Sequence, residues 1–249
     1  MLLVDIGNTR VKWAACKDGA LEAQQAAEYT QWTVEDWQRA LFGPRHFDRV
    51  VAASVAGERS THLLVEAARR SGMTDVRFIA STASAGGVRS AYPDPRLLGV
   101  DRWVAVIGAY GLCGGACCVV DVGTATTVDG VDAGGIHLGG YIVPGPHMMV
   151  RSLHAGTTQL ASYTAASGAH AGALLADNTR EAIERGCRVA LAALVDRAHA
   201  DLARATGSTP ILVLTGGAAG EIQPWLETPV RPVPDLVLRG LARLALPET

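Results

Sequence analysis

The sequence predicts an α/β fold made of two similar lobes. Two stretches, MLLVDIGNTRVKWAA at 1–15 and ACCVVDVGTATTVDGV at 116–131, each contain an apolar run, then Asp-x-Gly, then Asn or Thr. In both halves, short apolar segments typical of strands alternate with longer segments typical of helices, which is the pattern of α/β proteins. The glycine-rich GLCGG between the halves reads as a loop, so we expect lobes at 1–115 and 116–249.

The first half contains predicted strands and helices in alternation. LLVDI and VKWAA are strands around the turn GNTR, and Thr33 with Asp36 is typical of a helix start. The remaining predicted elements are a buried strand (49–55), a helix (58–71) that Gly72 ends, a strand (76–80), a Pro-rich loop and a mostly buried helix over VDRWVAVIGAY (100–110).

The second half repeats the plan. CCVVDVG and TTVDGV are predicted strands around a turn, and GGIHLGGYIVPG is a third strand that ends in a turn. Asn178 or Thr179 is expected to cap a long helix that reaches Ala205 and stops at Gly207. A buried strand, ILVLTGG, then enters a glycine turn, and a helix over 234–246 follows.

Composition and charge narrow the class of protein. The chain has 249 residues, of which 49% are hydrophobic, so it can form a sizeable core in one or two domains. Its formal net charge is -2 and Lys and Arg form no block, so no surface for nucleic acid is expected. The N-terminus has no charged segment before its apolar run, which disfavours a signal peptide.

One uncharged segment is long enough to require a membrane check. Residues 103–120 contain no charged side chain, but Gly111, Gly114 and Gly115 interrupt them. A helix, a loop and a strand are therefore expected here instead of a membrane span.

The spacing of the cysteines and histidines indicates neither a set of disulfides nor a metal site. The odd number of cysteines and the adjacent pair Cys117–Cys118 disfavour secreted disulfides, so buried, reduced thiols in a cytoplasmic protein are expected. Neither the cysteines nor the histidines show metal-ligand spacing. We interpret these histidines as structural or surface residues, although the loop with His154 could approach a substrate: His137, His147, His154 and His170.

The repeated Asp-x-Gly turn is suited to holding a polyphosphate. Glycine lets the backbone turn tightly and approach a ligand, and exposed amides with Asn and Thr side chains can donate to an anion. The aspartates need a cation between them and the phosphates, and Mg²⁺ is commonly held in this way. Each turn alone is better explained as an ordinary hairpin. Its occurrence once in each half favours a ligand, while Walker A and Rossmann motifs are absent.

Taken together, the motifs resemble one family. They are DIGNTRVK (5–12), Tyr92 before GVDR (99–102), DVGTATT (121–127), GGYIVPG (139–145), NTREAI (178–183) and LTGG (214–217). The two Asp-x-Gly turns resemble the phosphate motifs of the acetate and sugar kinase/Hsp70/actin superfamily, and the whole set resembles type III pantothenate kinase, also called the Bvg accessory factor family. The departures are Ser90, where the family often has Asn, and the region 14–50.

The resemblance implies a fold and an activity. The fold would be two ribonuclease H-like (actin-like ATPase) lobes with ATP bound in the cleft between them. The activity would be ATP-dependent phosphorylation of pantothenate to 4′-phosphopantothenate, the first step of coenzyme A biosynthesis, by a cytoplasmic homodimer with a shared active site. ATP with Mg²⁺ and a monovalent cation, K⁺ or NH₄⁺, would be required, with no nucleic acid or membrane partner.

Two alternatives remain open from the sequence. The first is an actin-like kinase for another small hydroxylated acid or sugar. The second is a non-catalytic regulator that keeps the fold. A regulator should have lost catalytic motif residues, whereas all of those that the family match identifies are present: Asp5, Asp101, Arg102, Asp121 and Thr124.

The resemblance also assigns roles on the substrate side. Asp101 would be the general base, although an ordinary Asp–Arg pair at a helix start is the alternative. Tyr92 could instead be a loop anchor packed on proline, and Thr179, expected from the partner subunit, could be a helix cap. The implied pantothenate contacts are Tyr92, Gly99, Val100, Asp101, Arg102 and Thr179.

The ATP side is assigned in the same way. Asp121 would hold the monovalent cation, and LTGG (214–217) would border the adenosine. Lys12 is uncertain because the alternation of a strand could point it into solvent. The implied ATP contacts are Asp5, Ile6, Gly7, Asn8, Thr9, Arg10, Val11, Lys12 and Thr124.

The long second-half helix carries a candidate dimer surface. Its apolar stripe is wide for a helix that covers one lobe, although ordinary core burial explains it equally well. The stripe consists of Ala182, Ile183, Val189, Ala190, Ala193 and Leu194.

Overall fold

A computed structural model describes residues 1–156 and 175–246. These residues form two compact units. The first unit contains Met1–Ala116, Val131–Gly139 and the C-terminal segment from Asp235, and the second contains Cys117–Gly130 and Gly140–Pro234. The C-terminal segment thus packs with the N-terminal part of the chain. The proposed division into lobes 1–115 and 116–249 stays a prediction.

The first unit is built on a six-stranded sheet with the order β3-β2-β1-β5-β6, in which β4 pairs with β2. The hairpin β1–β2 is antiparallel, whereas β5 is parallel to both β1 and β6. Every side chain of β1 is buried, which explains its uninterrupted apolar character around Asp5. The strands are β1 (Leu2–Ile6), β2 (Arg10–Lys17), β3 (Ala20–Leu21), β4 (Gln25–Glu28), β5 (Val50–Ser54) and β6 (Val76–Phe78).

Two helices cover this sheet. Helix α1 (Val34–Trp37) starts at the predicted capping box, in which the Thr33 hydroxyl and the Asp36 carboxylate each bond the other residue's backbone N–H, and it continues as a π-helical turn (Gln38–Phe42). Helix α2 (Glu58–Arg70) follows β5. Trp37, Phe42 and Leu64 from these helices pack with the apolar side chains of β1 in one core cluster.

The rest of the first unit leads to a close helix pair. Short strands β7 (Ser84–Ala85) and β8 (Val88–Arg89) precede helix α3 (Val100–Cys113), which packs on the C-terminal helix α7 (Leu236–Ala245). Gly108 and Gly240 lie at this contact, where a Cβ on Gly108 would be 2.7 Å from the Leu236 carbonyl oxygen. The two backbones can approach this closely only because both positions lack a side chain.

The second half forms a five-stranded sheet with the order β11-β10-β9-β12-β13, in which β9, β12 and β13 are parallel. A hairpin followed by two parallel strands repeats the order β2-β1-β5-β6 of the first sheet, which agrees with the prediction of two similar lobes. The strands are β9 (Cys117–Val122), β10 (Ala125–Val131), β11 (His137–Pro144), β12 (Ile211–Thr215) and β13 (Val230–Pro232).

Helix α5 (Thr179–Thr206) is the longest of the second unit's helices, beside α4 (Pro146–Gly156) and α6 (Ala219–Ile222). Its core face consists of Cys187, Leu191, Ala192, Val195, Ala198 and Leu202. The predicted apolar stripe is a different face: Ala182, Val189, Ala190 and Ala193 are exposed, and Ile183 and Leu194 are half-buried. Core burial against residues 1–156 and 175–246 therefore does not explain the stripe.

The uncharged segment is divided into a helix, a turn and a strand as expected, but Gly111 does not interrupt the helix, which is three residues longer than predicted. Helix α3 ends at Cys113, Gly114 adopts a left-handed conformation with φ of 65°, and β9 begins at Cys117. None of the helices within residues 1–156 and 175–246 combines the length and apolar character that a membrane span requires.

The cysteines are free thiols, and four of the five are buried. Burial, with a smaller contribution from the Asp129 carboxylate, raises the pKa of the Cys118 thiol to about 12. This thiol is therefore protonated and neutral at physiological pH, in keeping with a packing role.

The contact between α3 and α7 provides a test of the fold. A Cβ on Gly240 would overlap the backbone carbonyl of Val104, so Gly240→Ala should lower the free energy of unfolding by about 2 kcal/mol or more. Gly186→Ala, in α5, is the matched control because its Cβ would meet no atom within 4 Å. The control should be neutral or stabilising by up to about 1 kcal/mol. Urea unfolding measures both, and equal effects would contradict the packing.

Candidate active site

The first Asp-x-Gly turn is held rigidly between β1 and β2. The N–H of Gly7 donates to the carbonyl of Arg10 at 3.0 Å, and a Cβ on Gly7 would lie only 3.2 Å from that oxygen. From the other side, the Tyr29 hydroxyl donates to the Gly7 carbonyl at 2.6 Å. At the tip of the turn, Asn8, Thr9 and Arg10 are exposed. The turn therefore presents backbone and polar side chains to solvent in a fixed geometry.

Lys12 lies beside Asp5 and does not extend into solvent. The two residues are directly opposite in the antiparallel register, and Lys12 Nζ is 4.0 Å from Asp5 Oδ2. Both side chains are largely buried, with 18% and 10% exposed. Ile6 and Val11 are fully buried beneath the turn, so only their backbone atoms could contact a ligand. The Asp5 carboxylate is therefore paired with the Lys12 ammonium group at the base of the turn.

The second Asp-x-Gly turn is the meeting point of three motifs. The turn itself closes through the N–H of Gly123, which donates to the Ala125 carbonyl at 2.9 Å. The N–H of Gly145, from the PG turn after β11, donates to the Thr124 carbonyl at 2.9 Å. The N–H of Ala218, after the LTGG turn, donates to the Val122 carbonyl at 2.9 Å. Three separate sequence motifs thus form one surface at the end of β9, with Thr124 exposed on it.

Asp121 packs directly on the LTGG turn. It lies opposite Thr215 in the parallel register of β9 and β12. Gly216, with φ of +102°, follows Thr215, and a Cβ there would be 2.5 Å from Asp121 Oδ1. Only glycine fits this position. The carboxylate and the nearby backbone carbonyls are hard oxygen donors, which suits a cation such as K⁺ or Mg²⁺.

Asp101 lies at the N-terminus of α3. Its Oδ1 accepts a hydrogen bond from the N–H of Arg102 at 2.7 Å. A Cβ on Gly99, the residue before the helix, would be 2.7 Å from the same oxygen, so glycine leaves the space that the carboxylate occupies. Val100 is the first helical residue and is half-buried. The helix N-terminus favours negative charge at this position.

The Arg102 guanidinium is buried and extends to Tyr92. Arg102 is only 6% exposed, and its Nη1 donates to the Tyr92 hydroxyl at 3.1 Å. Its guanidinium carbon lies 5.9 Å from the centre of the Tyr92 ring, within cation–π range. The predicted substrate residues Tyr92, Gly99, Asp101 and Arg102 therefore converge within the first unit.

Comparisons with known proteins show the family of the chain. A family model described as type III pantothenate kinase matches residues 1–201. The chain belongs to the type III pantothenate kinase family. A type III pantothenate kinase of Aromatoleum aromaticum is 40% identical over 98% of this chain and 97% of its own length. A type III pantothenate kinase of an Azoarcus species is 38% identical over 98% of this chain and 90% of its own length.

Solved structures agree on the fold. A Baf family protein of Campylobacter jejuni has a TM-score of 0.59 at 18% identity, with 98% of this chain and 96% of that chain covered. A putative 2-dehydro-3-deoxygalactonokinase of Sinorhizobium meliloti has a TM-score of 0.58 at 15% identity, with 98% of this chain and 97% of that chain covered. The predicted α/β fold class is confirmed. The resemblance to type III pantothenate kinases is likewise confirmed by the family match.

Thr179 is not the cap of α5 in this pantothenate kinase family member. Asn178 is the N-cap, and its Oδ1 accepts the N–H of Glu181 at 3.0 Å. Thr179 is the first helical residue and is half-buried. The alternative explanation of Thr179 as the cap is therefore wrong, and its role as a substrate contact stays a prediction.

The histidines differ in their surroundings. His147 lies 2.8 Å from a carboxylate oxygen of Glu221, and His154 is half-buried in α4. His170 lies outside the described residues. His137 is fully buried, and its ring stacks on Tyr92 with 6.2 Å between ring centres and 10° between planes. No sequence pattern predicts this contact, because His137 is distant from Tyr92 along the chain and lies in an apolar run.

Proposed function

We propose that this protein is a pantothenate kinase that transfers the γ-phosphate of ATP to the primary hydroxyl of pantothenate. The product would be 4′-phosphopantothenate, and the reaction is the first step of coenzyme A biosynthesis. The family match over residues 1–201 carries the proposal. The match to a family of metabolic enzymes also leads us to propose a cytoplasmic location.

Asp101 is the general base in this proposal. Phosphoryl transfer has a loose transition state, so positioning and charge neutralisation dominate and a modest carboxylate base is sufficient. The bond from the Arg102 amide to Oδ1 and the space left by Gly99 orient the carboxylate. Asp101 accepts the proton of the attacking hydroxyl as the oxygen bonds to phosphorus and the bond to the ADP oxygen breaks.

Arg102 and Tyr92 bind the acceptor. A guanidinium can hold the carboxylate of pantothenate through two parallel hydrogen bonds. The bond from Arg102 Nη1 to the Tyr92 hydroxyl fixes one side of the guanidinium. Gly99 and Val100 line the same helix start and complete this part of the substrate pocket.

The two Asp-x-Gly turns bind ATP. Asn8, Thr9 and Arg10 contact phosphate together with the backbone of Ile6, Gly7 and Val11, while Asp5 and Lys12 provide charge beneath the turn. Thr124 contacts ATP from the second turn, and the LTGG turn borders the adenosine. Asp121 holds the monovalent cation, K⁺ or NH₄⁺, and Mg²⁺ accompanies the phosphates. When bound, these cations neutralise phosphate charge.

We infer that the working form is a homodimer in which Thr179 contributes to the partner's substrate pocket. The outward face of α5 carries exposed Val189, at 45% exposure. Further large apolar side chains of the second unit are exposed on β11 and α4: Tyr141, Ile142, Met148 and Leu153. Apolar surface of this extent on one unit supports an interface with a second copy of the chain.

Replacing the proposed base should greatly lower turnover without weakening ATP binding. Asp101→Asn keeps the side-chain shape but cannot accept the proton, so kcat should fall by about 100-fold or more. A coupled assay of ADP release measures kcat, and calorimetry with a non-hydrolysable ATP analogue should show unchanged binding. Asp48→Asn changes an exposed aspartate of the same unit and should behave as wild type. Activity within about threefold of wild type in Asp101→Asn would remove Asp101 from the mechanism.

The cation requirement tests the acidic turns. EDTA should abolish turnover, because the phosphates and the aspartates need positive charge between them. Exchange of K⁺ for Na⁺ should lower turnover in wild type and have little effect in Asp121→Asn. Full activity in EDTA would contradict the assignment of both turns to phosphate. A response of Asp121→Asn equal to that of wild type would contradict the role of Asp121 alone.

Subunit mixing tests the shared site. Under conditions that exchange subunits, Asp101→Asn chains mixed with Thr179→Arg chains should regain activity, because one pocket of each mixed dimer has both intact residues. That dimer should have about half of wild-type activity, since one of its two equivalent pockets is intact. As the control, wild type mixed with the doubly substituted chain should give inactive mixed dimers. The opposite pattern would place Asp101 and Thr179 in one chain's pocket.

A further inference from the structure

The turn between β10 and β11 is attached to the loop that precedes Tyr92. The Asp132 carboxylate closes this turn by accepting the N–H groups of Gly134 at 2.9 Å and Ile136 at 2.8 Å. The Arg89 N–H donates to the Gly135 carbonyl at 2.9 Å, and Ile136 pairs with Arg89 in a parallel bridge. The turn is therefore rigid in itself and fixed to β8.

Two further contacts hold this turn in place. The Tyr110 hydroxyl, on α3, donates to the Ala133 carbonyl at 3.2 Å. Gly135 has φ of +79°, and a Cβ there would overlap the Gly87 carbonyl and lie 3.2 Å from the Tyr110 ring. The backbone of the turn thus packs against α3 and the loop before β8 with no space for a side chain. His137 comes immediately after this anchored segment.

His137 supplies the surface on which Tyr92 rests. Tyr92 belongs to a Pro-rich loop, and its neighbours Ala91 and Pro93 are exposed. Within the loop, the Tyr92 N–H donates to the Ser90 hydroxyl at 3.1 Å, which fixes the backbone but not the ring. The ring itself stacks nearly parallel on the fully buried His137 imidazole, at 6.2 Å between centres. Such offset stacks of planar rings are favourable and directional.

We propose that His137 is a positioning residue of the pantothenate pocket. Its imidazole sets the orientation of the Tyr92 ring, and Tyr92 in turn accepts a hydrogen bond from Arg102 and lies under its guanidinium. The inference rests on the proposed function, because it assigns His137 to the binding of the substrate carboxylate.

The geometry separates this role from catalysis. The Asp101 carboxylate is oriented by the Arg102 backbone amide and by the space at Gly99, and neither depends on His137. Loss of the stack should therefore weaken pantothenate binding and leave the chemical step nearly unchanged. ATP binding should also be unaffected, because the two Asp-x-Gly turns have their own internal bonds.

The test compares two substitutions of His137. His137→Leu keeps a buried apolar side chain of similar volume but removes the planar ring, and His137→Phe keeps a ring that can stack. The KM for pantothenate should rise roughly 3- to 10-fold in the leucine variant, from the usual strength of an aromatic pair. Its kcat and its KM for ATP should stay within about twofold of wild type. The phenylalanine variant should restore the KM for pantothenate.

Controls distinguish the possible results. His62→Ala, an exposed histidine on α2, should match wild type, and thermal unfolding of each variant reports its fold. In a Tyr92→Leu background, His137→Leu should raise the KM no further, because the stack is already lost. A wild-type KM in His137→Leu, or a phenylalanine variant as impaired as the leucine variant, would overturn the inference. Failure of wild type itself to phosphorylate pantothenate would instead refute the proposed function.

Discussion

The site depends on close approach between carboxylates and backbone that has no side chain. Asp101 Oδ1 occupies the space that a Cβ on Gly99 would take, and Asp121 Oδ1 occupies the space beside Gly216. The absence of a side chain on each glycine therefore leaves room for the neighbouring carboxylate. A glycine in such a place is a geometric requirement, and a methyl group there would move the reactive oxygen.

Helix packing extends this constraint to the end of the chain. Helix α3 carries Asp101 and Arg102 at its first turn, and its axis is fixed by the close contact with α7 through Gly108 and Gly240. Arg243 of α7 also donates to the Gly86 carbonyl at 3.2 Å, so α7 contacts the loop before β8 as well. The C-terminal segment therefore helps to position the helix that carries the proposed base, although it is far from the motifs in sequence.

Local signals made much of the fold predictable from the sequence. The capping box at Thr33 and Asp36, the Asn178 cap and the glycine that ends α5 are short-range patterns with a direct structural meaning. The sequence reveals an apolar stripe on α5. It does not distinguish an exposed apolar face from the core face, because both repeat with the helical period. The elements that pack against the helix, among them α4, α6 and β9, decide which face is buried.

Long-range contacts were beyond prediction for a similar reason. The bond between Arg89 and Gly135 and the stack of His137 on Tyr92 join segments that are remote along the chain. No spacing rule connects them, and His137 lies in an apolar strand where a structural role was the natural interpretation. The sequence shows the glycines of GGIH at 134–137. It does not show that the Gly87 carbonyl packs against Gly135 and leaves no space there for a side chain.

The chemistry of the acceptor pocket bears on the alternative substrates. A buried guanidinium beside a phenol hydroxyl suits a carboxylate, which a neutral sugar lacks, so the pocket favours hydroxylated acids over sugars. On the proposed roles of Arg102 and Asp101, the distance between the carboxylate and the hydroxyl of an acid must match the distance from the guanidinium to the proposed base. The bond to Tyr92 restrains the guanidinium, so we expect selection among acids to depend on the stack of Tyr92 on His137. A non-catalytic regulator would not need this arrangement.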